Sequence, residues 1–233
     1  MIRLLVGVLV FVINTIYRNR PYPRFYVLET VARVPYFAYL SVLHLYETIG
    51  MWRRADWLKV HFAESWNELH HLLIMESLGG NKNWFDRFLA QHTALVYYWV
   101  VVFLYIISPS SAYHFMELVE GHAYHTYETF LQENEAELKA TSAPQIAINY
   151  YRDGDLYMFD EFQTGRVPEE RRPAINNLYD VFVNIRDDEA EHVKTMIACQ
   201  ESDAQLTFKS PHTIEVGTAL LVPGEEVKSV AIQ

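Results

Sequence analysis

Two segments that otherwise read as core helix, WNELHHLLIM at 66–75 and RDDEAEHVKTM at 186–196, each set a Glu three residues ahead of a His: Glu68 with His71, and Glu189 with His192. Three residues along a helix turn a side chain by about 60° and lift it by about 4.5 Å, so a carboxylate oxygen and an imidazole nitrogen of one pair can meet a single ion. Spacing of this kind recurs by chance, and the surroundings carry more information. Trp66, Leu69, Leu72 and Leu73 flank the first pair, and Val181, Phe182, Val183, Ile185, Val193 and Met196 flank the second. Two further segments each hold one Glu among apolar or aromatic neighbours: Glu29 in FYVLETVARV and Glu120 in FMELVEGHAY.

A buried carboxylate without a partner costs several kcal/mol or takes up a proton. Four converging carboxylates therefore call for cations, and two divalent ions balance a charge of −4. Carboxylate and imidazole donors without thiolate favour iron or manganese. One Glu from each of two helices, with Glu-x-x-His from each of the other two, is the ligand pattern of ferritin-like metal bundles. The plainer reading leaves Glu29 paired with Arg33 one turn on and Glu120 as an ordinary helix-face charge. The order Glu, Glu-x-x-His, Glu, Glu-x-x-His along one chain favours the metal centre.

The elements that must carry these residues follow from apolar periodicity and from Pro and Gly signals. Helices are expected over about 24–50, ending at Gly50; over about 56–78, stopped by Gly79 and Gly80; and over about 84–107, ending before Pro109. A fourth is expected from a cap at Ser110 or Ser111 to about Lys139. Residues 144–173 read as irregular and turn-rich, with Tyr150, Tyr151, Tyr157, Phe159 and Phe162 packing on the body. A last helix is expected over about 173–200, followed by a tail with a short strand after Pro211. The fold class is all-α: a ferritin-like four-helix bundle with a buried dinuclear metal site and membrane-interface helices. One domain is expected over 1–213, with 214–233 as a C-terminal tail.

Composition narrows the function classes. The chain has 233 residues, 51% hydrophobic and 15% aromatic, which is ample for a core with apolar surface to spare. A net charge of −10 argues against general nucleic-acid binding. Residues 1–60 nevertheless carry eight Lys or Arg against three Asp or Glu, a local +5 suited to an anionic membrane surface. The run LLVGVLVFVI at 4–13 resembles a signal-peptide core, but no small-residue cleavage site follows it. The run ALVYYWVVVFLYII at 94–107 would extend about 21 Å as a helix, short of a hydrocarbon core of about 30 Å. An interfacial, monotopic helix is the expectation for both runs. A single cysteine, Cys199, excludes an intrachain disulfide, a thiolate cluster and a c-type haem site.

At this point a family resemblance joins the residue-level reading. ARVPYF, VLHLYET, NELHHLLIMESLGGN, EGHAYHTYETFL, DLYMFDEFQTGR and RRPAINNLYDVFVNIRDDEAEH resemble the alternative oxidase family, in its plastid (plastoquinol) terminal oxidase branch, over about residues 15–213. The resemblance implies a membrane-bound, non-haem di-iron oxidase passing electrons from plastoquinol to O2 and giving quinone and water. By motif match the iron ligands are Glu29, Glu68, His71, Glu120, Glu189 and His192, and Asn67 and Asp188 are the partners of the ligand histidines. Tyr127 matches the family's redox-active tyrosine, and Arg24, Leu28 and Thr126 match positions lining its quinol pocket. The resemblance also implies a monotopic thylakoid protein, cyanobacterial or plastid, that pairs as a homodimer.

Two departures from the mitochondrial branch stand out. Glu120 is followed by Gly121 and His122 instead of a second acidic residue, and the DLYMFDEFQTGR segment is longer. The lack of a Ser- and Arg-rich leader suggests a cyanobacterial or phage-borne form, or a mature fragment. Rival readings of the same ligand set are a di-iron hydroxylase or desaturase acting on a lipid, and a non-enzymatic ferritin-like metal store.

Overall fold

The structure, a computed structural model, describes residues 7, 11, 13–50, 55–153 and 174–201. Among these residues there is no strand, and seven helices carry the fold. They are α1 (Pro21–Ala32), α2 (Val34–Thr48), α3 (Ala55–Ser77), α4 (Trp84–Ile107), α5 (Pro109–Ala140), α6 (Gln145–Asp153) and α7 (Leu178–Ala198). The all-α bundle expected from the sequence is the one observed. The tail after 201, the expected strand beyond Pro211 and the aromatic stretch 154–173 lie outside the described residues.

Several boundaries differ from the sequence expectation, each for a local reason. The helix expected over 24–50 is two helices, separated at Arg33. Pro35 has no N–H to give, and its ring would strike the carbonyl of Val31 in a continuous helix. The cap of α5 is Ser108, not Ser110 or Ser111: its hydroxyl accepts from the Ser111 N–H, and Pro109 occupies the first helical position. Helix α6 forms inside the segment expected to be irregular, burying Ala147, Tyr150 and Tyr151 against the body. Helix α7 starts only at Leu178, where the Asn177 side chain accepts from the Asp180 N–H at 3.1 Å. Within α5 the backbone departs from helical geometry at Asn134, whose side-chain amide donates to the Phe130 carbonyl.

Helices α1, α3, α5 and α7 carry the six expected ligands. The most extensive contact in the fold is α5 against α7, while α1 and α2 pack on both α3 and α4. Apolar burial is split into two clusters. One gathers Phe25, Tyr127, Tyr150 and Phe182, and the other gathers Tyr36, Tyr39, Tyr105, Tyr113 and Met196. The carboxylates lie where these two clusters meet, so apolar packing closes the site at both ends.

Helix α4 has the bounds expected from the sequence and extends beyond its continuous apolar run. Its 24 residues extend about 36 Å, and among the described residues it alone is long and apolar enough to cross a membrane by length and composition. The expectation of a helix too short to span counted only 94–107. One side of α4 is buried through Asp86, Ala90, Val101 and Tyr105, while Trp84, Leu95, Val96, Trp99, Phe103 and Ile107 stand exposed. Asp86 is ion-paired with Arg20, which ties the N-terminal turn to this helix.

The α3–α4 turn is the tightest join near the site. Gly79 has φ +83°, and a Cβ on Gly80 would stand 2.7 Å from both the Tyr22 carbonyl oxygen and the Tyr26 Cβ. Gly80→Ala should therefore lower stability by about 1–3 kcal/mol, read as a lower denaturant midpoint at constant slope. Gly121→Ala, where an added Cβ meets nothing within 4 Å, should leave the midpoint unchanged or raise it.

Candidate metal centre

All six expected ligands are brought together and are almost wholly buried, none more than 2% exposed. They fall into two overlapping sets whose donor atoms lie within 4.8 Å of one another: Glu29, Glu68, His71 and Glu189, and Glu68, Glu120, Glu189 and His192. Glu68 and Glu189 belong to both sets. That overlap sets Glu68 and Glu189 between two ends, Glu29 and His71 at one and Glu120 and His192 at the other.

The distances express the same pairing. His71 Nδ1 lies 3.3 Å from Glu189 Oε1, 3.7 Å from Glu29 Oε2 and 3.8 Å from Glu68 Oε1. His192 Nδ1 lies 2.9 Å from Glu68 Oε1, 3.5 Å from Glu189 Oε2 and 4.0 Å from Glu120 Oε1. Both oxygens of Glu68 and of Glu189, Oε2 of Glu29 and of Glu120, and Nδ1 of His71 are buried without a hydrogen-bond donor or acceptor. Buried polar atoms are nearly always satisfied. Seven left open around one point, with no thiolate among them, fit a pair of divalent cations.

Without cations the charges adjust by taking up protons. Burial, with Glu68 and Glu189 close by, raises Glu29 well above the ordinary carboxylate range, and burial with the same two neighbours raises Glu120. Burial opposes charge on Glu189 too, but the imidazoles of His192 and His71 close beside it hold its carboxyl at about 2. Burial would lower His71, yet Asp188 and Glu189 hold it protonated up to about 10. His192 is likewise raised, by Glu189 and Glu68 against its burial.

The remaining expected site residues separate into those that join the centre and those that do not. Tyr127 donates its hydroxyl to Glu29 Oε1 and stacks on Phe25 at 4.5 Å. Asp188 Oδ2 accepts from His71 Nε2 at 3.1 Å, which directs Nδ1 toward the carboxylates. Asn67 was expected beside a ligand histidine, but it reaches His71 only through Asp188. Its amide donates to Asp188 Oδ2 at 2.9 Å and to the Tyr150 hydroxyl at 2.6 Å. Tyr151 donates its hydroxyl to the same Asp188 oxygen at 3.1 Å. Arg24 and Thr126 line one cavity of about 320 Å³ together with Phe25, His122, Phe130 and Glu133. Leu28 does not line it, and packs instead against the neighbouring apolar cluster.

Sequence reasoning missed Tyr36. Its hydroxyl donates to Glu120 Oε1 at 2.6 Å, the counterpart of Tyr127 on Glu29. Each outer carboxylate thus has one oxygen held by a tyrosine and the other left open. The signal was available: Tyr36 follows Glu29 by seven residues, two helical turns, among apolar neighbours.

The family model described as alternative oxidase matches residues 1–201. A protein of Arabidopsis thaliana described as ubiquinol oxidase 4, chloroplastic/chromoplastic, is 68% identical over 203 residues, covering 87% of this chain and 57% of its own length. The mitochondrial ubiquinol oxidase 2 of Glycine max is 32% identical over 166 residues, and the mitochondrial ubiquinol oxidase of Mangifera indica is 31% identical over 166 residues. Each covers 71% of this chain and less than half of its own length. The chain therefore spans little more than half of the first of these relatives and less of the others.

Two measurements test the centre. An unfolded imidazole titrates near 6.5, so the stability that His71 adds without metal is complete below that pH and is lost as pH climbs through about 10. Metal binding instead needs the neutral ring. The gap in melting temperature between protein loaded anaerobically with a divalent metal and metal-free protein should widen steadily from pH 6 to pH 9. A gap independent of pH would contradict this. Asp188→Asn should weaken metal binding by about 10–100-fold, read by competition with a chelator.

Proposed function

The chain belongs to the alternative oxidase family, and from that premise we propose that it is a membrane-bound di-iron quinol oxidase that transfers electrons from plastoquinol to O2, giving quinone and water. The observation that carries this reading is the pair of overlapping ligand sets sharing Glu68 and Glu189. Two iron ions held there would supply O2 binding and one-electron steps. Glu29 and His71 would hold one ion, Glu120 and His192 the other, with Glu68 and Glu189 between them.

The chain's own residues supply the rest. The 320 Å³ cavity lies beside the Glu29 end of the centre, and Phe25 both lines it and stacks on Tyr127. A quinol headgroup seated there would meet the Arg24 guanidinium and the Thr126 hydroxyl as polar handles against an aromatic wall. Tyr127, bonded to Glu29, stands between that headgroup and the metal ligands. The apolar clusters at both ends exclude water, so an oxidised centre meets few alternative donors.

Plastoquinol is chosen over ubiquinol because the chloroplastic relative is so much closer in sequence than the mitochondrial ones; its own description names ubiquinol. Attachment follows from α4, whose exposed Trp, Phe and aliphatic side chains form a face suited to a bilayer while its other side is packed on α1 and α2. We read this as monotopic insertion into a plastid-type photosynthetic membrane.

In anionic liposomes the iron-loaded protein should consume O2 with a plastoquinol analogue, forming neither hydrogen peroxide nor hydroxylated lipid. A ubiquinol analogue should be the poorer substrate. Glu189→Ala, which removes a shared carboxylate, should lose iron and oxidase rate together. Retention of both by that variant would overturn the reading, and a hydroxylated lipid product would replace it with a hydroxylase.

A further inference from the structure

The side of the centre away from Tyr127 holds a second set of aromatic and acid-base groups. Tyr36, bonded to Glu120, has its ring 6.4 Å from that of Tyr39. Tyr39 in turn lies 4.9 Å from Tyr113 and 4.8 Å from Tyr105. These four tyrosines are fully buried. Tyr113 hydroxyl is 2.8 Å from His61 Nε2, and His61 Nδ1 is 2.9 Å from Glu64 Oε2, with both partners buried. A carboxylate can only accept, so His61 carries its proton on Nδ1 and turns the Nε2 lone pair toward Tyr113. Tyr105 then donates to the Tyr113 oxygen at 2.8 Å.

This differs from a generic aromatic core in what each hydroxyl faces. Tyr39 donates to the Ala112 carbonyl, a group that cannot take up a proton, so its ring can pass an electron but cannot rest as a neutral radical. Tyr113 faces a base that is itself anchored by a carboxylate. Tyr36 faces Glu120.

We propose that Tyr113, with His61 and Glu64, is a second oxidisable site, joined to the metal centre through Tyr39 and Tyr36, that takes up oxidising equivalents when quinol is lacking. The proposal rests on the oxidase reading above. Reducing O2 to two waters takes four electrons and four protons, and two ferrous ions becoming ferric supply two of the electrons. With no quinol present, the protein must supply the other two electrons, one from Tyr127 beside Glu29 and one from the Glu120 side, and the four protons of water are drawn from solvent. Tyr36 gives one electron to the O2-oxidised centre and its hydroxyl proton to Glu120. It is restored by an electron from Tyr113 by way of the Tyr39 ring and by return of the Glu120 proton. Tyr113 passes its own proton to His61 Nε2, leaving a neutral tyrosyl radical beside an imidazolium held by Glu64. An added reductant such as ascorbate returns one electron, and His61 returns the proton. The oxidising equivalent thereby leaves the iron ligands unharmed.

The test uses protein loaded with ferrous iron, mixed with O2 in the absence of quinol, frozen rapidly and examined by electron paramagnetic resonance. Tyr127→Phe serves as the background, so that any tyrosyl signal arises elsewhere. A radical signal that narrows with ring-deuterated tyrosine is expected in that background. It should fall several-fold on adding Tyr113→Phe or Tyr36→Phe, with the variants compared at equal bound iron per chain. Oxidation products mapped by mass spectrometry should shift from this chain to the metal ligands in the same variants. An absent signal in the Tyr127→Phe background, or one indifferent to Tyr113 and Tyr36, would overturn the proposal while leaving the oxidase intact. Failure of the ferrous protein to consume O2 would defeat the oxidase reading and this inference together.

Discussion

Four carboxylates closing on one point in a dry core cannot all stay charged unless cations join them. Burial and mutual repulsion drive Glu29 and Glu120 toward their protonated forms, and both imidazoles are held as cations by the carboxylates around them. The metal-free protein is thus balanced by protons standing where metal charge belongs. The rest of the bundle answers to that requirement: α1, α3, α5 and α7 supply the donors, and two apolar clusters shut out water on either side. A centre this costly to bury is retained for its chemistry, because apolar residues of similar volume would make a more stable core.

The site has two ends of different character. At the Glu29 end, Tyr127 and Phe25 lead to a cavity lined by Arg24 and Thr126. At the Glu120 end, Tyr36 leads to a closed chain of tyrosines ending on His61 and Glu64. On the proposed reading, the cavity would admit an organic reductant on one side, with buried oxidisable rings on the other side of a centre that meets O2. Behind His71, the Asp188, Asn67, Tyr150 and Tyr151 cluster fixes the imidazole, with no ring nitrogen left to rotate away.

Much of this was legible in the residues themselves. Glu-x-x-His spacing and apolar flanks picked out all six converging side chains, because a carboxylate within a hydrophobic run demands an explanation. Less legible were features set by contacts between distant segments. Tyr150 and Tyr151 read as packing residues, and only the arrival of α6 beside α3 makes them partners of Asn67 and Asp188. Asn67 was expected on a histidine and lies one bond further out. Leu28 follows the family's pocket pattern, yet here it faces the adjacent core. The break at Arg33 was overlooked because apolar periodicity continues through Pro35, and the Ser108 cap because the later serines look equally able to cap. The bounds of α4 were read correctly, but its reach was judged on 94–107 alone, because Trp84, Phe85 and Phe88 lie outside the continuous apolar run while still extending its exposed face.

The account stands or falls on where metal binds. Anomalous X-ray scattering at the iron edge, from crystals of the iron-loaded protein, measures this directly. Two peaks per chain are expected, one enclosed by Glu29, Glu68, His71 and Glu189 and the other by Glu68, Glu120, Glu189 and His192, with the shared carboxylates between them. One peak, no peak, or iron bound away from these six side chains would contradict it.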